Sequence, residues 1–227
     1  MTTIELEPSD NAEVESLSER LFMASLATME LANVELGLRL GLYESLAHGR
    51  PLTAAELAQA AGIVERYAQE WLEQQAVACL VEVDDAGLPA TERRFSLPNG
   101  HAHVLLDDDS EASMKACVGV VPWLGKALDV MTEEFRAGKG VAFGDFDLHG
   151  IQEAFTRPVF VNHLTQTWLP ALPEVQDKLS SGNAVRIAEI GCGTGVAALT
   201  IARAYANAQV DGYDLDPASI AAADQAA

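Results

Sequence analysis

At 227 residues the chain has room for one large domain or two small ones, and with 49% apolar residues it can bury a core. A net charge of −20, with 14 scattered basic residues, argues against a surface built to grip a nucleic-acid backbone. Cys79, Cys117 and Cys192 lack CxxC or metal spacing, the start MTTIELEPSD is no signal peptide, and no apolar run approaches the roughly 20 residues that span a bilayer; together these predict a soluble cytoplasmic protein outside the membrane.

Residues 1–12 read as a loose tail. From Glu13 to Leu46 apolar residues such as Leu17, Leu21, Met29, Leu36 and Leu40 recur at three- and four-residue spacing, which predicts one long helix or two shorter ones. The stripe is broad and suits either an ordinary core or burial against a second subunit. HGRPL breaks the pattern. In TAAE, Thr53 and Glu56 have the spacing of a capping box, opening a short helix to Ala60. Gly62 turns the chain into a second helix from Val64 to Ala78. LVEV, the turn DDAG and RRFSL follow as a hairpin, completing the pattern of a winged helix-turn-helix.

HAHVLLDDDSEAS is predicted as a connector in which Asp109 or Ser110 caps the next helix. Residues 111–137 read as a helix kinked at Pro122, and GKGVAFGDFDLHG, with four glycines in 13 residues, as a loop. Helical patterns resume from Ile151 to Leu179, interrupted by Pro158, Pro170 and Pro173. Then AVRIAEI predicts a buried strand, GCGTG a turn, VAALTIARAYA an apolar helix, QVDGYDL a second strand and DPASIAAADQAA a further helix.

The turn spaces its glycines as Gly191-x-Gly193-x-Gly195. A dinucleotide fingerprint would place the third glycine where Val196 stands, and the Lys-Ser/Thr pair of a phosphate loop is absent. Asp214 ends the second strand 19 residues after Gly195, where an acid can accept hydrogen bonds from both hydroxyls of a ribose. Close backbone approach plus a strand-end acid predicts an adenosine-bearing ligand held without dependence on phosphate.

AEIGCGTG followed by VDGYDLDP resembles the first two motifs of class I S-adenosylmethionine-dependent methyltransferases. The resemblance implies that Glu189 helps hold the amino group of the methionine part. It places Gly191, Cys192, Gly193 and Gly195 beneath the cofactor, Asp214 on the ribose and Leu215 on the adenine. Upstream, LGLYESLAHGRPLTAAELAQAAGIVERYAQEWLEQQAVACLVEV resembles the winged-helix region through which such methyltransferases dimerise. The implied architecture is a mainly α N-terminal winged helix-turn-helix domain and helical connector, followed by the start of a Rossmann-like α/β methyltransferase domain. The corresponding spans are 1–100, 101–180 and 181–227. A seven-stranded sheet does not fit into the 43 residues after Ala184, so the α/β part reads as incomplete, with an open edge on its second strand.

Methyl transfer from a sulfonium needs alignment, exclusion of water and often a base. His149 and His163 are the histidines near the connector; each reads either as facing the site or as an ordinary surface or core histidine. Phe155, Arg157 and Trp168 read either as a roof over the cofactor or as helix packing. No catalytic residue and no metal site is assigned. The second helix of the winged motif, VERYAQEWLEQQAVA, sets Glu65, Glu70 and Glu73 against Arg66 alone. Residues 1–100 hold 17 acids, six arginines and no lysine, with Arg93 and Arg94 as the basic pair of the wing. That charge speaks against DNA. The sequence therefore predicts a methyltransferase acting on a small molecule, homodimeric through its N-terminal helices, with this chain read as an incomplete portion that serves as a dimerisation module without activity of its own. The alternative is a winged-helix regulator with a sensing S-adenosylmethionine site.

Overall fold

The computed structural model describes Glu7 and residues 10–227 apart from 48 and 147, and divides into two compact units, Met1–Ser96 and Leu97–Ala227. The predicted tail lies mostly outside the described residues.

The first unit begins with α1 (Asn11–Arg39) and α2 (Leu42–Ala47), two helices broken by the left-handed Gly41. In α1 only Val34 and Gly37 are buried, while Leu21, Phe22 and Met29 are about 60% exposed. Among the described residues α1 is the one helix long and apolar enough, by length and composition, to cross a membrane. This corrects the expectation that no such run exists: beyond Arg20 the acids thin out to Glu30 and Glu35, and apolar residues fill the intervening turns.

The capping box is present. Thr53 Oγ1 accepts the N–H of Glu56 at 3.3 Å, the Glu56 carboxylate accepts the N–H of Thr53 at 2.9 Å, and α3 (Ala54–Ala61) ends at Gly62 in the left-handed conformation. α4 (Glu65–Val77) packs on α3 through Leu57, Ala68 and Leu72, all fully buried. The wing pairs β1 (Glu82–Val83) with β2 (Phe95–Ser96) antiparallel. Leu52, in the segment read as a break, adds a third edge. Its N–H donates to Phe95 O at 2.9 Å, and the N–H of Phe95 returns to Leu52 O at 2.8 Å. Around this sheet Tyr43 lies edge-on to Trp71, its hydroxyl donating to Gln75 Oε1, and Trp71 Nε1 donates to Asn33 O at 3.0 Å. A Trp indole and a Tyr hydroxyl tolerate burial because each finds an acceptor.

The second unit starts with α5 (Asn99–Leu105), a helix where the sequence suggested a connector. α6 (Lys115–Ala137) continues through Pro122 and ends at the left-handed Gly138. The expected cap at Asp109 or Ser110 does not form. Ser110 instead closes a local turn by accepting the N–H of Ala112, and the residue before α6 is Met114, without a side-chain cap. The glycine-rich stretch is not all loop. It contains α7 (Phe143–Phe146), and His149 already begins α8 (His149–Val159). Just past Pro158 the helix widens into a π-helix, Phe160–Trp168. There the Asn162 side chain donates to Pro158 O at 2.8 Å, taking the carbonyl that an α-helical backbone bond would use. After α9 (Pro173–Ser180), β3 (Val185–Ile190) and β4 (Ala208–Tyr213) pair parallel and in register, Ile190 opposite Tyr213. They are joined through α10 (Val196–Ala204) and followed by α11 (Pro217–Ala226). β3 is not buried on both faces as predicted: Val185, Ile187 and Glu189 are half-buried and Arg186, Ala188 and Ile190 exposed, because the helix covers one side of the strand pair.

Gly37 is held to glycine by the aromatic pair. A Cβ there would lie 2.7 Å from Tyr43 Cε2 and closer still to Trp71. Gly37→Ala is expected to destabilise the protein by about 1–3 kcal/mol through overpacking, read as a lower urea midpoint at unchanged slope.

Candidate functional site

The site is built where β3 and β4 end side by side. The Tyr213 carbonyl accepts two N–H groups from the turn after β3, Gly191 at 2.7 Å and Cys192 at 3.0 Å. The next N–H, of Gly193, donates to Asp214 Oδ2 at 2.8 Å, and Asp214 Oδ1 accepts the N–H of Asp216 at 2.9 Å. Asp216 in turn caps α11 by accepting the N–H of Ser219 at 2.6 Å. The N–H groups of Asp216 and then Gly193 hold the Asp214 carboxyl below its ordinary range.

This pattern requires backbone that L side chains resist. Gly191, Gly193 and Gly195 have φ of +76°, +53° and +83°. A Cβ on Gly191 or Gly193 would meet nothing within 4 Å, so the space above those two residues is open. On Gly195 it would lie 3.1 Å from Ala223 Cβ, so the third glycine also allows α11 to pack. Gly212 was not singled out from the sequence. A Cβ there would lie 2.9 Å from Cys192 Sγ, so β4 needs a glycine opposite the buried thiol. Burial, then the charges of Glu189 and Asp214, push that thiol up.

Glu189 ends the covered face of β3. It is half-buried and takes a hydrogen bond from the N–H of Ala198 in the first turn of α10, yet its Oε2 is buried without a hydrogen-bond partner. Burial raises its carboxyl above the ordinary glutamate range. A cleft of about 860 Å³ opens at the strand ends, lined by Gly144, Ile190, Gly191, Tyr213, Leu215 and Pro217 with the acids Asp214 and Asp216. Ile190 is 80% exposed and Leu215 fully so, giving an apolar floor beside a carboxylate.

Of the residues singled out in the sequence, Gly191, Asp214 and Leu215 line this cleft, with Gly193 and Gly195 in the adjoining turn and Cys192 turned onto Gly212. Phe155, Arg157 and Trp168 do not line it. Arg157 pairs with Asp109 at 2.7 Å and borders a separate hollow of about 120 Å³ with Thr194 and Val196. Trp168 stacks on His163, whose Nε2 lies 2.6 Å from Glu111 Oε1, and Phe155 is more than half exposed. His149 is placed at the site: Nδ1 lies 3.2 Å from Ser219 Oγ and 3.5 Å from Asp216 Oδ2. The described residues contain no group of three or more His, Cys, Asp or Glu suited to a metal ion.

Comparison with known proteins agrees with this architecture. Residues 24–106 match the family model of the Rv2258c-like winged HTH domain. No curated protein matches the chain. Among solved structures it is similar to the mitomycin 7-O-methyltransferase MmcR, with a TM-score of 0.57, 20% identity and 95% of this chain and 63% of that one covered. Human N-acetylserotonin methyltransferase in complex with SAM gives 0.56 at 15% identity, covering 99% and 64%. PigF with SAH gives 0.57 at 16% identity, covering 91% and 61%. The chain thus spans under two thirds of the length of these structures, and its fold is that of a winged helix followed by a methyltransferase-type α/β unit.

Glu189 gives a pH test. Because burial raises its folded pKa, its contribution to stability is fully present below the ordinary glutamate range and is lost as pH rises through the raised value. Glu189→Gln is expected to match the parent at about pH 4 and exceed it at about pH 7 in urea unfolding. An unchanged difference across that range would contradict the burial of an uncompensated carboxylate.

Proposed function

We propose that this chain carries the cofactor-binding part of an S-adenosylmethionine-dependent methyltransferase acting on a small molecule. Residues 1–100 serve as the helical and winged-helix dimerisation domain, 101–180 as the helical connector and 181–227 as the start of the cofactor domain. The observation that carries the reading is the joint between the turn and the strand-end acid: Asp214 bonded to Gly193, beside open space above Gly191 and Gly193.

The residues present fit the cofactor. Asp214 lines the cleft, its carboxylate has lone-pair capacity beyond the backbone N–H groups it accepts, and it would receive the ribose hydroxyls. Leu215 and Ile190 offer exposed apolar surface for an adenine. Glu189 Oε2 is a buried acceptor without a partner, and an ammonium group would satisfy it. Gly191, Cys192, Gly193 and Gly195 supply backbone that a ligand can approach without meeting a side chain at the first and third of them. The cofactor, when bound, supplies an activated sulfonium methyl group. What the protein does is orient it and keep water from it, which is catalysis by proximity.

A homodimer through the N-terminal helices is supported by α1, whose Leu17, Leu21, Phe22 and Met29 stand in solvent on a helix with two buried positions. The regulator alternative loses support from the wing. Arg93 donates to both oxygens of Glu73 at 2.7 and 2.8 Å, and Arg94 donates to Glu56 Oε2 at 2.8 Å, so the basic pair is spent on internal acids. A reducing, cytoplasmic location is part of the same reading, on the ground of the few, widely spaced cysteines.

Calorimetric titration of S-adenosylhomocysteine into the chain tests the reading. Binding is expected, and Asp214→Ala is expected to weaken it roughly 10- to 150-fold, the equivalent of one hydrogen bond to a charged group at about 1.5–3 kcal/mol. Ligand at about 100 times its dissociation constant should add about 2.7 kcal/mol of stability in the parent and far less in the variant. Equal affinity in both proteins, or none in the parent, would overturn the proposal.

A further inference from the structure

The cleft has one wall that does not come from the α/β strands. Gly144, in α7, lines it, and a Cβ on Gly144 would lie 3.5 Å from Asp216 Oδ1. Two described contacts help fasten this wall. On one side Trp123 of α6 donates from Nε1 to Phe146 O at 2.6 Å and meets the Phe146 ring edge-on at 5.0 Å. On the other, His149 at the start of α8 reaches the α11 cap, with Nδ1 3.2 Å from Ser219 Oγ and 3.5 Å from Asp216 Oδ2. The contact is well covered: the side chains of His149 and Asp216 are 16% and 11% exposed. Asp216 in turn donates its N–H to Asp214, which holds Gly193. A continuous run of polar contacts therefore leads from the wall to the glycine turn.

We propose that His149 is a positioning residue that latches the wall at residues 144–146 to the loop at 214–216, setting the width of the cleft beside Asp214. The proposal rests on the cofactor reading for its consequence but not for its geometry. The latch works through Nδ1. An asparagine side chain places an amide nitrogen close to where Nδ1 stands, so it can keep a polar contact with Asp216 and Ser219 without the ring. An alanine retains nothing. With the latch gone, the wall loses its tie to the α11 cap while keeping the one at Trp123, and the cleft loses its fixed width before any ligand arrives.

Hydrogen exchange of the full chain without ligand, in the parent, His149→Ala and His149→Asn, reads the latch directly. In His149→Ala the amides of residues 144–146 and 218–219 are expected to exchange at least about fivefold faster, as local opening costs less, while those of α10 stay unchanged and report an intact fold. His149→Asn is expected to stay within about twofold of the parent. Affinity for S-adenosylhomocysteine should fall about tenfold in His149→Ala and recover to within about threefold in His149→Asn, on the scale of one charge-assisted hydrogen bond. Unchanged exchange in His149→Ala overturns the latch. So does faster exchange that His149→Asn fails to restore, because the role is then ring packing rather than a bond from Nδ1. A parent chain that binds no S-adenosylhomocysteine defeats the cofactor reading, and the exchange rates still decide the latch.

Discussion

The site depends on one carboxylate. Asp214 accepts the N–H of Gly193 from the turn after β3 and the N–H of Asp216 from the turn after β4, and so joins two loops that the strand ladder brings only to adjacent positions. Hydrogen bonds to a charged acceptor contribute about 1.5–3 kcal/mol each, more than a neutral pair. The same N–H groups lower the carboxyl below its ordinary range, so the acid is ionised wherever the protein is folded near neutrality. Everything around it follows from the need to present those N–H groups. Gly191, Gly193 and Gly195 adopt positive φ, Tyr213 O anchors the start of the turn, and Gly212 yields room for the Cys192 thiol.

Burial is uneven between the two units. The most deeply buried large side chains include Tyr43, Phe95, Leu42, Leu57, Leu72 and Gln75, all in the first unit, with Val118 in the second. The winged-helix unit has helices and a three-edged sheet to enclose its core. Two parallel strands have one face for α10 and another that leaves Ile190 in solvent. Parallel sheets are usually covered on both faces, and here one face of the strand pair is left open. The apolar floor of the cleft and the exposed end of β3 are parts of one surface.

The electrostatics of the first unit work against a nucleic-acid partner in a way that composition alone only suggested. Arg93 and Arg94 are the basic pair of the wing, and each is engaged by an acid of the helix pair, Glu73 or Glu56. Glu56 also closes the capping box, and Arg50, Thr53 and Arg94 together hold its carboxyl down to about 2. One glutamate thus caps a helix and ties the wing to it.

Local chemistry was legible in the sequence wherever it is decided by neighbours along the chain. Thr53 with Glu56, Gly62 after the last apolar residue of α3, the strand–glycine–helix order and the spacing from Gly195 to Asp214 are short-range patterns, and the structure contains each of them. What the sequence misjudged depends on distant partners. The wall formed by α7 hid inside a glycine-rich stretch, because composition signals freedom of backbone and not the helical turn that Trp123 pins. Leu52 looked like a break, because its strand partner Phe95 lies 43 residues away. Phe155, Arg157 and Trp168 read equally as a cofactor roof or as helix packing, and only the structure places Phe155 in solvent, Arg157 on Asp109 and Trp168 on His163. Residue types and spacing along a strand–turn–helix determine backbone conformation, since φ and local hydrogen bonds are short-range. Which side chain of a helix or loop reaches the α11 cap beside the cleft, as His149 does while His163 pairs with Glu111, was decided only by the tertiary packing of elements far apart in sequence.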